Sequence, residues 1–150
     1  NMCLPVLDRL SRWSLVSSAK VAELVDRHIE WLRVKTDSRE ASMLSLSGGN
    51  QQKVVVGKWL IRDLKLLIVD EPTVGIDIGA KEEMYQTIER LAEQGVAILL
   101  VSSDLPELTR LSDRIIVLRK GRIIKEFTEG VVTEEQVLRA ASGIVEGSEK

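Results

Sequence analysis

Two short apolar runs constrain this chain more than anything else in it: "KLLIVDEP", ending in two acids and a proline, and "VAILLVSS", some thirty residues further on. Each is four to six residues of continuous, partly β-branched apolar sequence, the pattern of a strand buried on both faces. Between them "GAKEEMYQTIERLAEQG" sets Met84, Ile88 and Leu91 on one helical face and stops at Gly95. Strands alternating with helices predict an α/β domain built on a mainly parallel sheet.

The flanking segments fit that scheme. Val21, Leu24, Val25, Ile29 and Leu32 recur at helical spacing, with His28 on the edge of the stripe, where a single histidine reads as a packed boundary residue. The stretch from about Gly48 to Ile61 is apolar nearly all round through Val54, Val55, Val56, Trp59 and Leu60, which predicts a buried helix. "DLPELTRLS" opens a helix with Asp104 as its cap and Pro106 in its first turn. "DRIIVLRKGRIIKEF" is a hairpin signal, and "TEEQVLRAASG" carries a Thr133/Gln136 capping box and a Gly143 stop. The predicted organisation is a helical subdomain over residues 1–46, an α/β core over 47–130, and a C-terminal helix and tail over 131–150.

Charge and composition limit the partners. With 150 residues, 44% hydrophobic, the chain can bury the core of one ordinary domain. A net charge of −2 supplies no broad basic face for nucleic acid or anionic lipid, so any anion site has to be local. Cys3 stands alone and reads as a small apolar residue near a terminus, in keeping with a reducing compartment. No apolar run approaches the roughly 18 to 20 residues of a membrane span. The chain opens on Asn1 without a charged-then-apolar leader, and reads as a piece of something longer.

A local anion site is encoded in "LSLSGGNQQKVVV". Glycine inside a helix costs roughly 1 kcal/mol relative to alanine, so Gly48 and Gly49 belong at a helix entrance, with Ser47 as the N-cap. That entrance directs unpaired backbone N–H groups, a hydroxyl and the positive end of a helix dipole at one spot, as a phosphate requires. Asp70 and Glu71 emerge at the carboxyl end of a strand, where open α/β sheets bind ligands. Their side chains point opposite ways, so Asp70 can hold a hydrated Mg²⁺ while Glu71 orients or deprotonates a water for attack on a phosphoryl group. The plainer reading is a solvated acidic strand end before a turn.

In order, these motifs resemble the ATP-binding cassette family over essentially the whole chain. Leu46–Gln51 is similar to its signature sequence, Leu66–Glu71 to its Walker B strand, Gly75–Asp77 to its D-loop and Val101–Asp104 to its switch segment. "LSGGNQQKV", "GIDIGAK", "SSDLPE" and "SDRIIVL" resemble the second cassette of tandem ATPase subunits in ribose, galactose and xylose importers. The resemblance implies a P-loop NTPase-like parallel core, ATP and Mg²⁺ as cofactors, and ATP hydrolysis coupled to sugar import. It implies Glu71 and Ser103 as catalytic residues and Asp70 on the metal. Ser47, Gly48, Gly49, Gln51 and Asp77 would face nucleotide, the signature residues closing over the γ-phosphate of an ATP held by the opposing cassette. The implied partners are the first cassette of the same subunit, membrane permease subunits and, indirectly, a periplasmic sugar-binding protein, but no nucleic acid. The implied location is peripheral, on the cytoplasmic face of the bacterial inner membrane.

Three departures shape the expectation. No G-x-x-x-x-G-K-[ST] occurs, and no glutamine loop, so the cradle for the β- and γ-phosphates is absent. Ser103 stands where most of the family carries the switch histidine, as in the sugar-importer second cassettes; it can hydrogen-bond but cannot carry a proton at neutral pH. Val74 stands where arginine is usual in that subfamily. The segment therefore resembles the C-terminal part of a cassette and is expected to be inactive alone. Without the Walker A strand, edges near Ala97–Val101 and Arg114–Leu118 stay unpaired and favour self-association. Two other readings are a non-catalytic module that only donates the signature face, and a soluble cassette ATPase of DNA repair or translation. The "NQQ" after Gly49 and the negative charge argue against the second.

Overall fold

A computed structural model of the chain describes residues 1–12, 15–62, 64–128 and 130–143. In chain order its elements are α1 (Leu7–Leu10), β1 (Ser11–Arg12), β2 (Leu15–Val16), α2 (Ser18–Trp31), α3 (Gly48–Leu60), β3 (Leu66–Asp70), α4 (Ile78–Glu93), β4 (Ala97–Val101), α5 (Leu105–Leu111), β5 (Ile115–Arg119), β6 (Arg122–Phe127) and α6 (Glu134–Ser142). The predicted α/β class is what forms. The predicted tail, from residue 144 onward, lies outside the described residues.

The central pair is β3 with β4. Ala97 donates its N–H to the Lys65 carbonyl (3.0 Å) and Glu71 donates to the Val101 carbonyl (2.8 Å), so pairing advances in the same direction on both strands and the pair is parallel. Burial on both faces does not follow, however. Leu67 is buried, but Leu66, Ile68, Leu99 and Val101 each stand about half exposed. Leu66 and Ile68 alternate with Leu67 along β3, and Leu99 and Val101 with Leu100 along β4. β4 and β5 are not neighbours; β5 pairs with β6 in a separate sheet.

The chain divides into two compact units, the first comprising residues 1–67 and 72–98 and the second 68–71 and 99–150. In the first, α2 is capped by Ser17, whose side chain accepts from Lys20 N–H, and buries Val25 against Met2, Leu32, Val34 and Val54. The expectation of a helical start is modified by β1 and β2, a two-residue antiparallel pair. On α4 the predicted face is buried through Met84, Ile88 and Leu91, joined by Tyr85 and Thr87, and Gly95 ends the helix region at φ +84°.

The predicted all-round burial of α3 is corrected by the structure. Val54 and Val56 are buried, yet Val55 and Trp59 stand about half exposed, and the side chain that disappears most completely is that of Lys53. The face turned inward carries Gly49, Lys53 and Gly57, and at the two glycines the absence of a side chain lets Ala80 and Leu32 approach.

In the second unit the hairpin forms as predicted. Lys120 (φ +48°) and Gly121 (φ +74°) make a two-residue turn with both φ values positive, the type I′ pattern that matches strand twist. The register runs from Arg119↔Arg122 to Ile115↔Phe127, with an irregularity between Val117 and Leu118. Ile115 and Val117 are buried against Val137 of α6, with Leu105, Leu108 and Phe127 around them. The Thr133/Gln136 capping box is present, and Gly143 closes α6 in the left-handed conformation. No helix among the described residues is long and apolar enough to cross a membrane.

Candidate functional site

The glycine-rich turn lies in the first unit, and α3 starts at Gly48 as the sequence predicts. Ser47 is the N-cap by position, but its side chain caps nothing. Instead Asn50 Nδ2 donates to Ser47 Oγ (2.9 Å), and Asn50 Oδ1 accepts from the Lys35 backbone N–H (2.9 Å). A backbone N–H can only donate, so the amide oxygen must face Lys35 and the amide nitrogen Ser47. Ser47 Oγ is thus used as an acceptor, and its proton is left to donate. Gln51 folds back on the same turn: its N–H closes on the Ser47 carbonyl and its Nε2 donates to the Leu46 carbonyl, both at 2.9 Å.

The two glycines have separate duties. A Cβ at Gly48 would meet only ordinary contacts, the nearest being the Gly75 carbonyl oxygen at 3.7 Å. A Cβ at Gly49 would fall inside 3.0 Å of the Ala80 Cβ, so that position is glycine because α3 and α4 touch there. The Gly75 turn (φ +76°) leads to Asp77, which caps α4: its Oδ1 accepts from Ala80 N–H at 2.9 Å. Ser47, Gly48, Gly49, Gln51 and Asp77 are therefore gathered on one unit, where α3 begins beside the beginning of α4.

Sequence reasoning passed over the residues that hold this arrangement. Lys53 Nζ donates to Glu83 Oε2 (2.5 Å) and to the Arg33 carbonyl (3.0 Å). That hydrogen bond holds the Glu83 carboxyl below its ordinary range against the upward push of partial burial, with help from the charges of Lys53, Lys35 and Arg33. The signal was present in "GNQQK": Lys53 follows Gly49 by four residues and must share its face. A cavity of about 740 Å³ in this unit, lined by Val25, Ile29, Met43 and Val54 among others, has Leu46 on its wall but none of the other candidate residues.

Asp70, Glu71 and Ser103 belong to the second unit. Asp70 is exposed at the carboxyl end of β3. Glu71 adopts φ +47°, a conformation few non-glycine residues take, and its Oε1 accepts from the Ser103 backbone N–H at 2.8 Å. The clamp on the carboxylate is the main chain of residue 103, while its hydroxyl is not the group engaged there. Asp104 caps α5 through Glu107 N–H (3.0 Å), as predicted. Among the described residues no group of three or more His, Cys, Asp or Glu side chains is arranged to hold a metal. A single exposed carboxylate suits Mg²⁺, which keeps waters and phosphate oxygens as most of its ligands.

A family model described as "ABC transporter" matches residues 5–74. The chain is 44% identical over 143 residues to the xylose import ATP-binding protein of Geobacillus kaustophilus, covering 95% of this chain and 28% of that protein. It is 48% identical to the ribose import ATP-binding protein of Bacillus subtilis, covering 95% and 29%, and 46% identical to the arabinose import ATP-binding protein of Rhizobium meliloti, covering 94% and 28%. The chain thus spans less than a third of these relatives. Among solved structures, a metal-chelate type ABC transporter in an inward-facing conformation matches with a TM-score of 0.73 at 19% identity, over 91% of this chain and 54% of that one. A dimeric ATP-binding cassette in a post-hydrolysis state, bound to ADP and phosphate, matches with a TM-score of 0.72 at 23% identity, over 86% and 55%. At these identities the structural likeness establishes the fold.

Proposed function

We propose that the chain belongs to the ATP-binding cassette family, whose model matches residues 5–74, and that it is the C-terminal part of the second cassette in the ATPase subunit of a bacterial sugar importer. The observation that carries this reading is the start of α3. Ser47 Oγ is held by one hydrogen bond from Asn50 and keeps its proton free, beside a Gly48 that nothing crowds, at the positive end of a 13-residue helix. In this role Ser47 and the Gly48 and Gly49 N–H groups bind the γ-phosphate of an ATP seated on the first cassette, with Gln51 and Asp77 fixing the turns on either side. The family likeness of the imported sugars' ATPases, at 42–48% identity, supports this assignment over a repair or translation ATPase.

In the other half of the work, Asp70 would hold Mg²⁺, which offsets phosphate charge when bound. Glu71, with Oε1 held by Ser103 N–H, presents its second oxygen to orient a water. Ser103 supplies a hydroxyl where an imidazole would otherwise steady the γ-phosphate, so this site is the slower of the two. The partners are the first cassette, permease subunits at the cytoplasmic face of the membrane, and a sugar-binding protein beyond them. The segment alone has no phosphate cradle, which favours the reading that by itself it only donates a signature face.

The structure selects the variant for the test. Gly49→Asp would collide with Ala80 whatever the function, whereas at Gly48 the fold has room for a Cβ and Gly48→Asp sets a negative charge against the incoming phosphate. In the intact transporter Gly48→Asp abolishes most sugar uptake and ATPase activity, while Glu71→Gln leaves an appreciable fraction. Equal, near-complete loss in both would refute the asymmetry, and full activity in Gly48→Asp would refute the signature role itself.

A further inference from the structure

Lys53 is the largest of the fully buried side chains of the first unit, and no step proposed above uses it. Its side chain is 1% exposed. Burying an ammonium is costly unless it is paired and hydrogen-bonded, so its partners must be worth the arrangement. Those partners come from two different segments: Glu83 of α4, and the carbonyl of Arg33 just beyond α2. Arg33 itself adopts φ +51°, a conformation disfavoured for a residue with a side chain.

Lys53 is also in register with the candidate turns. On α3, Gly49 and Lys53 are one helical turn apart; on α4, so are Ala80 and Glu83. The Gly49–Ala80 contact and the Lys53–Glu83 ion pair are successive rungs of one seam. The segment gripped through Arg33 continues to Lys35, whose N–H is held by Asn50, which in turn holds Ser47 Oγ. A continuous path of hydrogen bonds and two peptide steps therefore runs from α4 through Lys53 and residues 33–35 to the hydroxyl of Ser47.

We propose that Lys53 is a positioning residue: it locks the start of α3 to the start of α4, so that Ser47 and Gly48 meet a phosphate at a fixed spacing from Asp77. The proposal rests on the signature role given to Ser47 and Gly48. It concerns alignment of two turns in the closed state, not the affinity of the phosphate cradle, which these residues do not form. Lys53 touches no reacting atom in this scheme.

The test uses the intact ATPase subunit assembled with its membrane partners. Lys53→Met keeps an unbranched apolar stem and removes the ammonium with its charge and all its donors; Lys53→Arg restores a charge and donors. Lys53→Met lowers kcat for MgATP hydrolysis at least tenfold with KM for ATP within about twofold of wild type, and Lys53→Arg recovers most of the kcat. A kcat within twofold of wild type in Lys53→Met, a loss borne by KM, or no recovery in Lys53→Arg overturns the proposal. If Lys53→Met does not fold, Glu83→Gln takes its place, with a severalfold fall in kcat expected and an unchanged kcat overturning the proposal. Gly48→Asp in the same assay separates the two ideas: if it is active, the signature role fails; if it is inactive while Lys53→Met is normal, only the positioning role fails.

Discussion

The contact between Gly49 and Ala80 yields the sharpest stability test. In Gly49→Ala the new Cβ falls inside 3.0 Å of the Ala80 Cβ, and both atoms are fixed to helix backbones that no rotamer change can move. Carbon atoms rest about 3.5–4.0 Å apart, so α3 and α4 must separate by at least about 1 Å. Overpacking of that kind costs about 1–3 kcal/mol, partly offset by the roughly 1 kcal/mol that alanine gains over glycine in a helix. The net loss is up to about 2 kcal/mol, or a fall in Tm of at most roughly 8 °C for a chain of this length. Ala80→Gly alone costs at most about 1 kcal/mol through added backbone freedom. In the double variant the Cβ at residue 49 meets only the Cα at residue 80, at an ordinary 3.7 Å. Its stability should therefore return to within about 1 kcal/mol of the parent, a coupling of about 2 kcal/mol. Urea unfolding of the four proteins, followed by far-UV circular dichroism, measures it. Losses that simply add would refute the claim that these two atoms set the helix spacing.

Two further outcomes are expected. The 150-residue chain alone should bind MgATP no more tightly than the millimolar range and hydrolyse none, because Asp70 and Glu71 have no phosphate cradle beside them; micromolar binding by calorimetry would contradict this. The stability that the Lys53–Glu83 pair contributes should be fully present above the ordinary Glu83 value of 4.5 and be lost as pH falls through its lower folded value, since the depressed carboxyl is protonated last in the native state. The gap in urea midpoint between the parent and Glu83→Gln should hold constant above pH 4.5 and narrow below it; a gap insensitive to acid would count against the assignment.

Local chemistry made most elements legible in advance. The hairpin followed from "RKGR", the α6 box from Thr133 and Gln136, and the α5 cap from Asp104, because each is decided within a few residues. Burial was less legible, because it depends on which neighbours arrive. The apolar faces of β3 and β4 were assigned covers on both sides, yet Ile68, Leu99 and Val101 face solvent. Composition likewise favoured Trp59 over Lys53 for the interior of α3, and the order reversed because only Lys53 faces a carboxylate and a free-standing carbonyl. For the candidate site, position was legible and orientation was not. Ser47 was correctly placed at the head of α3, but the amide of Asn50, rather than the helix itself, uses its lone pair.

The hydrogen bond from residue 103 to Glu71 has a genetic corollary. Because the donor is the main-chain N–H, the grip on Glu71 is indifferent to what side chain residue 103 carries. Nineteen of the twenty coded amino acids keep that donor, and proline alone removes it. Histidine, threonine or alanine could replace Ser103 without releasing the carboxylate, so the chemistry of this side chain and the aim of Glu71 can change independently of each other.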